Sequence, residues 1–122
     1  WGPAMADPED FDPASLDTDQ WADAAVSAQM EFSCMTSKHH DGFDIWPSQV
    51  YEHNISKGNQ PGLDVVEEYL TSFRSRGIQA GLYFSIMDLH LEAVEKPNFS
   101  GTNEIGFFRY AKRSIPKTGM SF

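Results

Sequence analysis

An α/β fold with parallel strands is predicted by three features of the chain. Two stretches, 17–28 and 64–76, repeat apolar residues at i, i+3, i+4 and i+7, the spacing that gathers one stripe on a helix. Each is followed closely by a short segment with the two-residue alternation of a strand, at 31–36 and 78–85. The order helix, strand, connection, helix, strand contains a strand–crossover–strand unit, and a crossover of this length sets the two strands parallel.

The elements follow in order. Residues 1–16 hold Gly2, Pro3, Pro8 and Pro13 among acids with no apolar period, so an irregular lead-in is expected. Asp17 can cap the first helix, with Gln20 three residues on as in a capping box and Asp19 at the positive end of the helix dipole. Trp21, Ala24, Ala25 and Ala28 form its stripe. In the first strand Phe32, Cys34 and Thr36 share one side and Ser33 and Met35 the other. The connection 37–62 is polar and aromatic and far exceeds the ~2–6 residues of an ordinary βα loop, a length usual for functional loops. Asp64 can cap the second helix, whose stripe is Val66, Tyr69, Leu70 and Phe73, with Arg74 and Arg76 at its negative end and Gly77 as the stop. Ile78, Ala80, Leu82 and Phe84 then alternate with Gln79, Gly81, Tyr83 and Ser85. The expectation is that Trp21, Ala25, Ala28, Val66, Leu70 and Phe73 are buried against the parallel pair. Beyond residue 86, Pro97, Gly101, Gly106, Pro116 and Gly119 interrupt the pattern, leaving 103–113 as a short helix candidate.

Composition excludes some functions. With 122 residues, 40% apolar, the chain suits one globular unit or part of one. A net charge of −9 opposes binding to nucleic acid, which needs clustered Lys and Arg. No apolar run reaches the ~18–20 residues of a membrane span, so no membrane partner is expected. Residues 1–68 carry 14 acids against 2 bases and residues 69–122 carry 4 acids against 7 bases, the asymmetry of a chain belonging to something larger or of an acidic surface with a basic tail. Cys34 has no second cysteine for a disulfide or a thiolate metal site, and a core position is expected for it.

Chemistry concentrates in Thr36-Ser37-Lys38-His39-His40-Asp41-Gly42-Phe43-Asp44-Ile45-Trp46-Pro47-Ser48, where the first strand should end. The carboxyl ends of parallel strands are where α/β proteins bind ligands. Adjacent imidazoles donate or accept hydrogen bonds and a Trp ring offers a flat apolar face, a combination that suits a sugar. Two alternatives stay open on the residues alone. His39, His40 and Asp41 could ligate a metal, although consecutive strand residues point to opposite faces. More plainly, one His could satisfy a backbone group while Asp41 and Gly42 make a turn. His53 and His90 are read as structural or solvated.

The run His39-His40-Asp41-Gly42-Phe43, with Thr36-Ser37-Lys38 before it and Trp46-Pro47-Ser48 after it, resembles the signature segment of the α-L-fucosidases of glycoside hydrolase family 29. Leu16-Asp17 through Trp21-Ala22, Asn54-Ile55-Ser56, Gly77-Ile78, Gly81-Leu82-Tyr83-Phe84-Ser85 and Ile86-Met87-Asp88-Leu89-His90 are similar as well, so the likeness covers about residues 11–90. Two positions depart from it. Gln29 stands where a glycine is usual, which bears on close packing at the turn, and Leu63 replaces the usual arginine before Asp64. The resemblance implies part of a (β/α)8 barrel, incomplete here because a full one takes roughly 250 residues. It divides the chain into the lead-in 1–16, barrel residues 17–90 and a divergent tail 91–122. It further implies retaining hydrolysis of terminal α-L-fucose from a fucosylated glycan, without a cofactor, by an aspartate nucleophile and a separate acid/base carboxylate on later strands. No catalytic residue is therefore expected in this chain, and Asp41, Asp44 and Asp88 are not assigned those roles. His39 and His40 match fucose-contacting positions; Trp46 and, more distantly, Tyr83 are candidates to line the site. The alternatives are a non-catalytic carbohydrate-binding remnant and, behind it, a metal-dependent barrel hydrolase using His39, His40 and Asp41. The triplets at Asn54 and Asn98 also fit the N-glycosylation acceptor pattern.

Overall fold

The structure, a computed structural model, describes residues 7–90. The helix candidate at 103–113 and the Asn98 triplet lie outside the described residues. Helix α1 runs Thr18–Ser27, strand β1 Phe32–Lys38, helix α2 Val65–Ser75 and strand β2 Gln79–Phe84. The strands pair in parallel, from Phe32 beside Gln79 to Lys38 beside Phe84, with an irregularity between Thr36 and Lys38. The α/β class and the parallel crossover are as expected.

Both helices start where their caps direct. The Asp17 carboxylate accepts from the backbone N–H of Gln20 at 2.9 Å and that of Asp64 from Glu67 at 2.9 Å, each meeting one of the amides that a helix start leaves unpaired. Both end in the same doubly bonded turn. At the end of α2 the N–H of Ile78 reaches the Phe73 carbonyl and that of Gly77 the Arg74 carbonyl; at the end of α1 Met30 reaches Ala25 and Gln29 reaches Val26. These are Schellman closures, which need a left-handed residue past the cap. Gly77 takes it at φ +78° without cost, whereas Gln29 takes it at φ +57° with a side chain attached.

The core forms between the helices and one face of the sheet. Ala22, Ala25, Tyr69, Phe73 and Ile78 are buried together, with Met35, Leu70, Ala80 and Leu82 packed against them. This corrects the α1 stripe. Trp21 is 42% exposed and Ala24 and Ala28 are exposed, while Thr18, Ala22 and Ala25 face inward, one residue or about 100° round the helix. The small Ala22 and Ala25 allow close approach to α2, and the Thr18 hydroxyl meets that of Ser72 at 2.8 Å in the buried seam. Trp21 could not enter that space. In α2, Phe73 and Tyr69 are buried as expected, Val65 is buried in addition, and Val66 and Leu70 are only half-buried. Arg76 clamps the helices from outside, with Nη1 2.7 Å from Asp19 and Nε 2.6 Å from Asp23.

Cys34 is exposed, not in the core. The register explains this: Ser33 with Ala80 and Met35 with Leu82 turn toward the helices, so Cys34 with Gly81 and Thr36 with Tyr83 turn away. Among the described residues, that second sheet face meets no helix. The lead-in docks on the long connection, where Asn59 Nδ2 donates to the Glu9 carbonyl at 2.7 Å and Gly58 lies so close to the Pro8 carbonyl that a Cβ would collide with it.

Candidate functional site

The irregularity at the end of β1 builds the site. After Thr36 the chain leaves the regular ladder, Ser37 and Lys38 are both buried, and Ser85 N–H donates to the Lys38 carbonyl at 3.0 Å. Lys38 is 1% exposed. Its Nζ donates to the Ser85 carbonyl at 2.9 Å, lies 3.4 Å from the Met87 carbonyl and 3.3 Å from Asp88 Oδ2, and sits over the Phe84 ring. A buried ammonium is tolerable only with such partners. Burial pulls its pKa down, with Asp88 opposing that shift. Its effect is to staple residues 85–88, which follow β2, onto the end of β1.

The imidazoles emerge from this staple. The Leu89 N–H donates to the His40 carbonyl at 2.8 Å and the His40 Nδ1 lies 2.5 Å from the Ser85 hydroxyl, so the carboxyl-end segments of both strands converge as a parallel pair requires. The His39 and His40 rings lie 4.1 Å apart, and the Tyr83 ring is 5.8 Å from that of His39. The chain then turns tightly, with Gly42 N–H on the His39 carbonyl. Gly42 is left-handed at φ +83°, and a Cβ there would strike the Asp88 carboxylate. His39, His40 and Tyr83 are thus together. Trp46 is not with them: its ring packs 6.2 Å from Phe84, and alternation along β2 puts Phe84 on the opposite face from Tyr83.

Asp44 lies beneath. Its backbone bridges to the long connection, Asp44 N–H to the His53 carbonyl and Ile55 N–H to the Asp44 carbonyl. Its side chain is 0% exposed, and the Ser48 hydroxyl is the hydrogen-bonding group set beside its carboxylate. Burial pushes its pKa up to about 7, against the attraction of Lys38. A second aromatic group flanks the site. The His53 and His90 rings stack at 3.7 Å, the Tyr51 hydroxyl is 2.8 Å from His90 Nδ1, and Phe43 meets His53 edge-on. Burial lowers the pKa of both histidines. Asn54 is buried, donating through Nδ2 to the Ser48 and Tyr51 carbonyls and accepting from Ser56 through Oδ1. In the folded chain its triplet is a structural turn, closed to glycosylation.

A parallel pair predicts from sequence that His39 and His40 converge with Ser85 to Asp88 at the strand ends, as they do, but sequence reasoning misses Lys38 and Asp44 as organisers of the site. Lys38 and Asp44 lie inside the signature run and Ser85 ends the β2 alternation, but only the fold shows them buried and in contact. Among the described residues no three His, Cys, Asp or Glu side chains gather to hold a metal ion.

A parallel βαβ unit with polar side chains gathered at the carboxyl ends of its strands is the place where α/β proteins bind ligands. The model of the alpha-L-fucosidase family matches residues 5–118, and the chain belongs to that family. It is 35% identical over 98 residues to alpha-L-fucosidase 1 of Arabidopsis thaliana, covering 79% of this chain and 19% of the plant protein. It is 40% identical over 70 residues to the tissue alpha-L-fucosidase of Homo sapiens, covering 57% of this chain and 15% of the human one. Among solved structures, a glycoside hydrolase 29 family member from an unknown rumen bacterium superposes with a TM-score of 0.74 at 32% identity, over 92% of this chain and 20% of that one. The chain thus spans about a fifth or less of the length of these relatives.

Proposed function

We propose that the chain forms one wall of the fucose site in an alpha-L-fucosidase that hydrolyses terminal α-L-fucose from glycans with retention. Residues 17–90 would supply part of a (β/α)8 barrel, led in by 1–16 and followed by a divergent tail at 91–122. His39 and His40 contact sugar hydroxyls, Tyr83 lines the same edge, and Trp46, packed on Phe84, contributes further out or through the fold. The observation that carries the reading is the convergence of His39, His40 and Ser85 at the strand ends, on a family-specific motif. The nucleophile and the acid/base carboxylate would come from later strands: retaining hydrolysis needs both around one anomeric carbon. Asp44 and Asp88 are buried beside Lys38 and unsuited to attack a glycoside.

The test is titration of the 122-residue chain with L-fucose and with D-glucose, read from histidine ring resonances. Shifts of His39 and His40 with L-fucose alone, lost in His40→Ala, support the reading; equal shifts with both sugars, or none, contradict it. The same chain should release no nitrophenol from nitrophenyl α-L-fucoside. Release that His40→Ala abolishes would place a nucleophile within residues 41–88.

A further inference from the structure

We propose that Ser85 is a positioning residue that fixes the tautomer of His40, so that this imidazole meets the sugar as a hydrogen-bond acceptor through Nε2. The inference rests on the reading of His40 as a fucose-contacting group and adds to it the direction of the hydrogen bond.

The Ser85 hydroxyl has one proton and two close partners. Ser85 Oγ lies 2.5 Å from His40 Nδ1 and 3.0 Å from the Met87 carbonyl oxygen. A hydroxyl owns one proton and a carbonyl owns none. If the Ser85 proton pointed at His40, two acceptor oxygens would face each other at hydrogen-bonding distance with nothing between them. The proton therefore goes to Met87, and Ser85 Oγ meets the ring only as an acceptor. The proton in the second contact must then belong to His40 Nδ1. A neutral imidazole carries a single N–H, so Nε2 holds a lone pair.

The parts that impose this assignment are themselves held by backbone. Ser85 N–H is bonded to the Lys38 carbonyl, Lys38 Nζ binds the carbonyls of Ser85 and Met87, and Leu89 N–H is bonded to the His40 carbonyl. None of these bonds uses the Ser85 hydroxyl. Removing that hydroxyl should thus release the tautomer without releasing the segment. The chemical consequence is that a sugar hydroxyl gives its proton to His40 and keeps its own lone pairs for other donors, which lets one hydroxyl bridge His40 to a cationic or N–H group elsewhere in the site.

The experiment uses long-range proton–nitrogen correlation on the His40 ring of the ligand-free chain, at a pH where the nitrogen shifts themselves show the ring neutral. The expected spectrum has a protonated Nδ1 and a pyridine-type Nε2. Ser85→Ala should shift the ring toward a mixture with the Nε2–H form, and Ser85→Thr, which keeps a hydroxyl, should restore the wild-type pattern. In the L-fucose titration Ser85→Ala should weaken binding about 3- to 10-fold, the worth of one oriented hydrogen bond, with Ser85→Thr recovering most of it. An Nε2–H ring in the wild type, or a Ser85→Ala spectrum identical to it, overturns the proposal and leaves the fucose reading standing. A wild-type chain with the expected tautomer and no response to L-fucose overturns the fucose reading and with it the acceptor role, while leaving Ser85 as the group that sets the ring.

Discussion

Gly42 and Asp44 carry the strongest single-residue constraints. Gly42 combines a left-handed backbone with a Cβ position already filled by the Asp88 carboxylate. Gly42→Ala should therefore cost about 2 kcal/mol or more, the left-handed penalty of ~1–2 plus displacement of a buried ion-paired group. A urea titration checks this; an unchanged midpoint would mean that the turn relaxes freely. Asp44 makes stability depend on pH in the direction opposite to a salt-bridged aspartate. Its folded pKa, about 7, lies above the ordinary 3.8, so the native state holds the proton more tightly than the unfolded chain does. Stability through this group is full below about pH 4, declines as pH rises, and is lost above about pH 7. Asp44→Asn should remove that decline, worth on the order of a few kcal/mol between pH 4 and 8. Parallel slopes for wild type and variant in urea unfolding across that range would contradict it.

At the scale of elements, each helix is a cap, a stripe and a closing turn, and the two closing turns differ in one residue. Gly77 enters the left-handed position freely, and Gln29 enters the same position against steric resistance. Gln29→Gly should raise stability by about 0.5–1 kcal/mol, the relieved strain less the added freedom of the unfolded chain. Thermal melts of the two proteins decide this, and a lower melting temperature for the variant would show that the Gln29 side chain makes a compensating contact. The helix–helix seam works by a different device. Ala22 and Ala25 bring α1 close to Tyr69 and Phe73, and burying two such aromatic side chains contributes roughly 1.5–3 kcal/mol each. Arg76 on Asp19 and Asp23 orients the pair at the solvent edge more than it stabilises it.

Taken whole, the described unit has one covered sheet face and one uncovered. Phe32, Cys34, Thr36 and Tyr83 line the uncovered face, with Phe32 60% exposed. In a closed barrel, inward side chains of this kind fill the interior in layers. Cys34 reports on that face. In the native 122-residue chain it should react with one equivalent of a thiol reagent at nearly the rate seen in denaturant; protection relieved only by urea would show that the face is covered, by self-association or by another part of the chain.

Local order was legible in the sequence because local chemistry decides it. Asp17 and Asp64 announced the helix starts, Gly77 the stop, and two-residue alternation the strands, since capping and periodicity depend on residues within a few positions of one another. The parallel crossover followed from the lengths, and the motif at His39 and His40 was visible as text. Tertiary structure alone decided the rest. Whether the stripe of α1 began at Thr18 or Trp21 depended on what could fit against Tyr69 and Phe73, and Cys34 was turned outward by a register set between strands more than forty residues apart. Long-range contact likewise made Lys38 a buried staple and placed Ser85 against His40, because burial and hydrogen-bond direction belong to pairs of distant residues and are written in neither one alone.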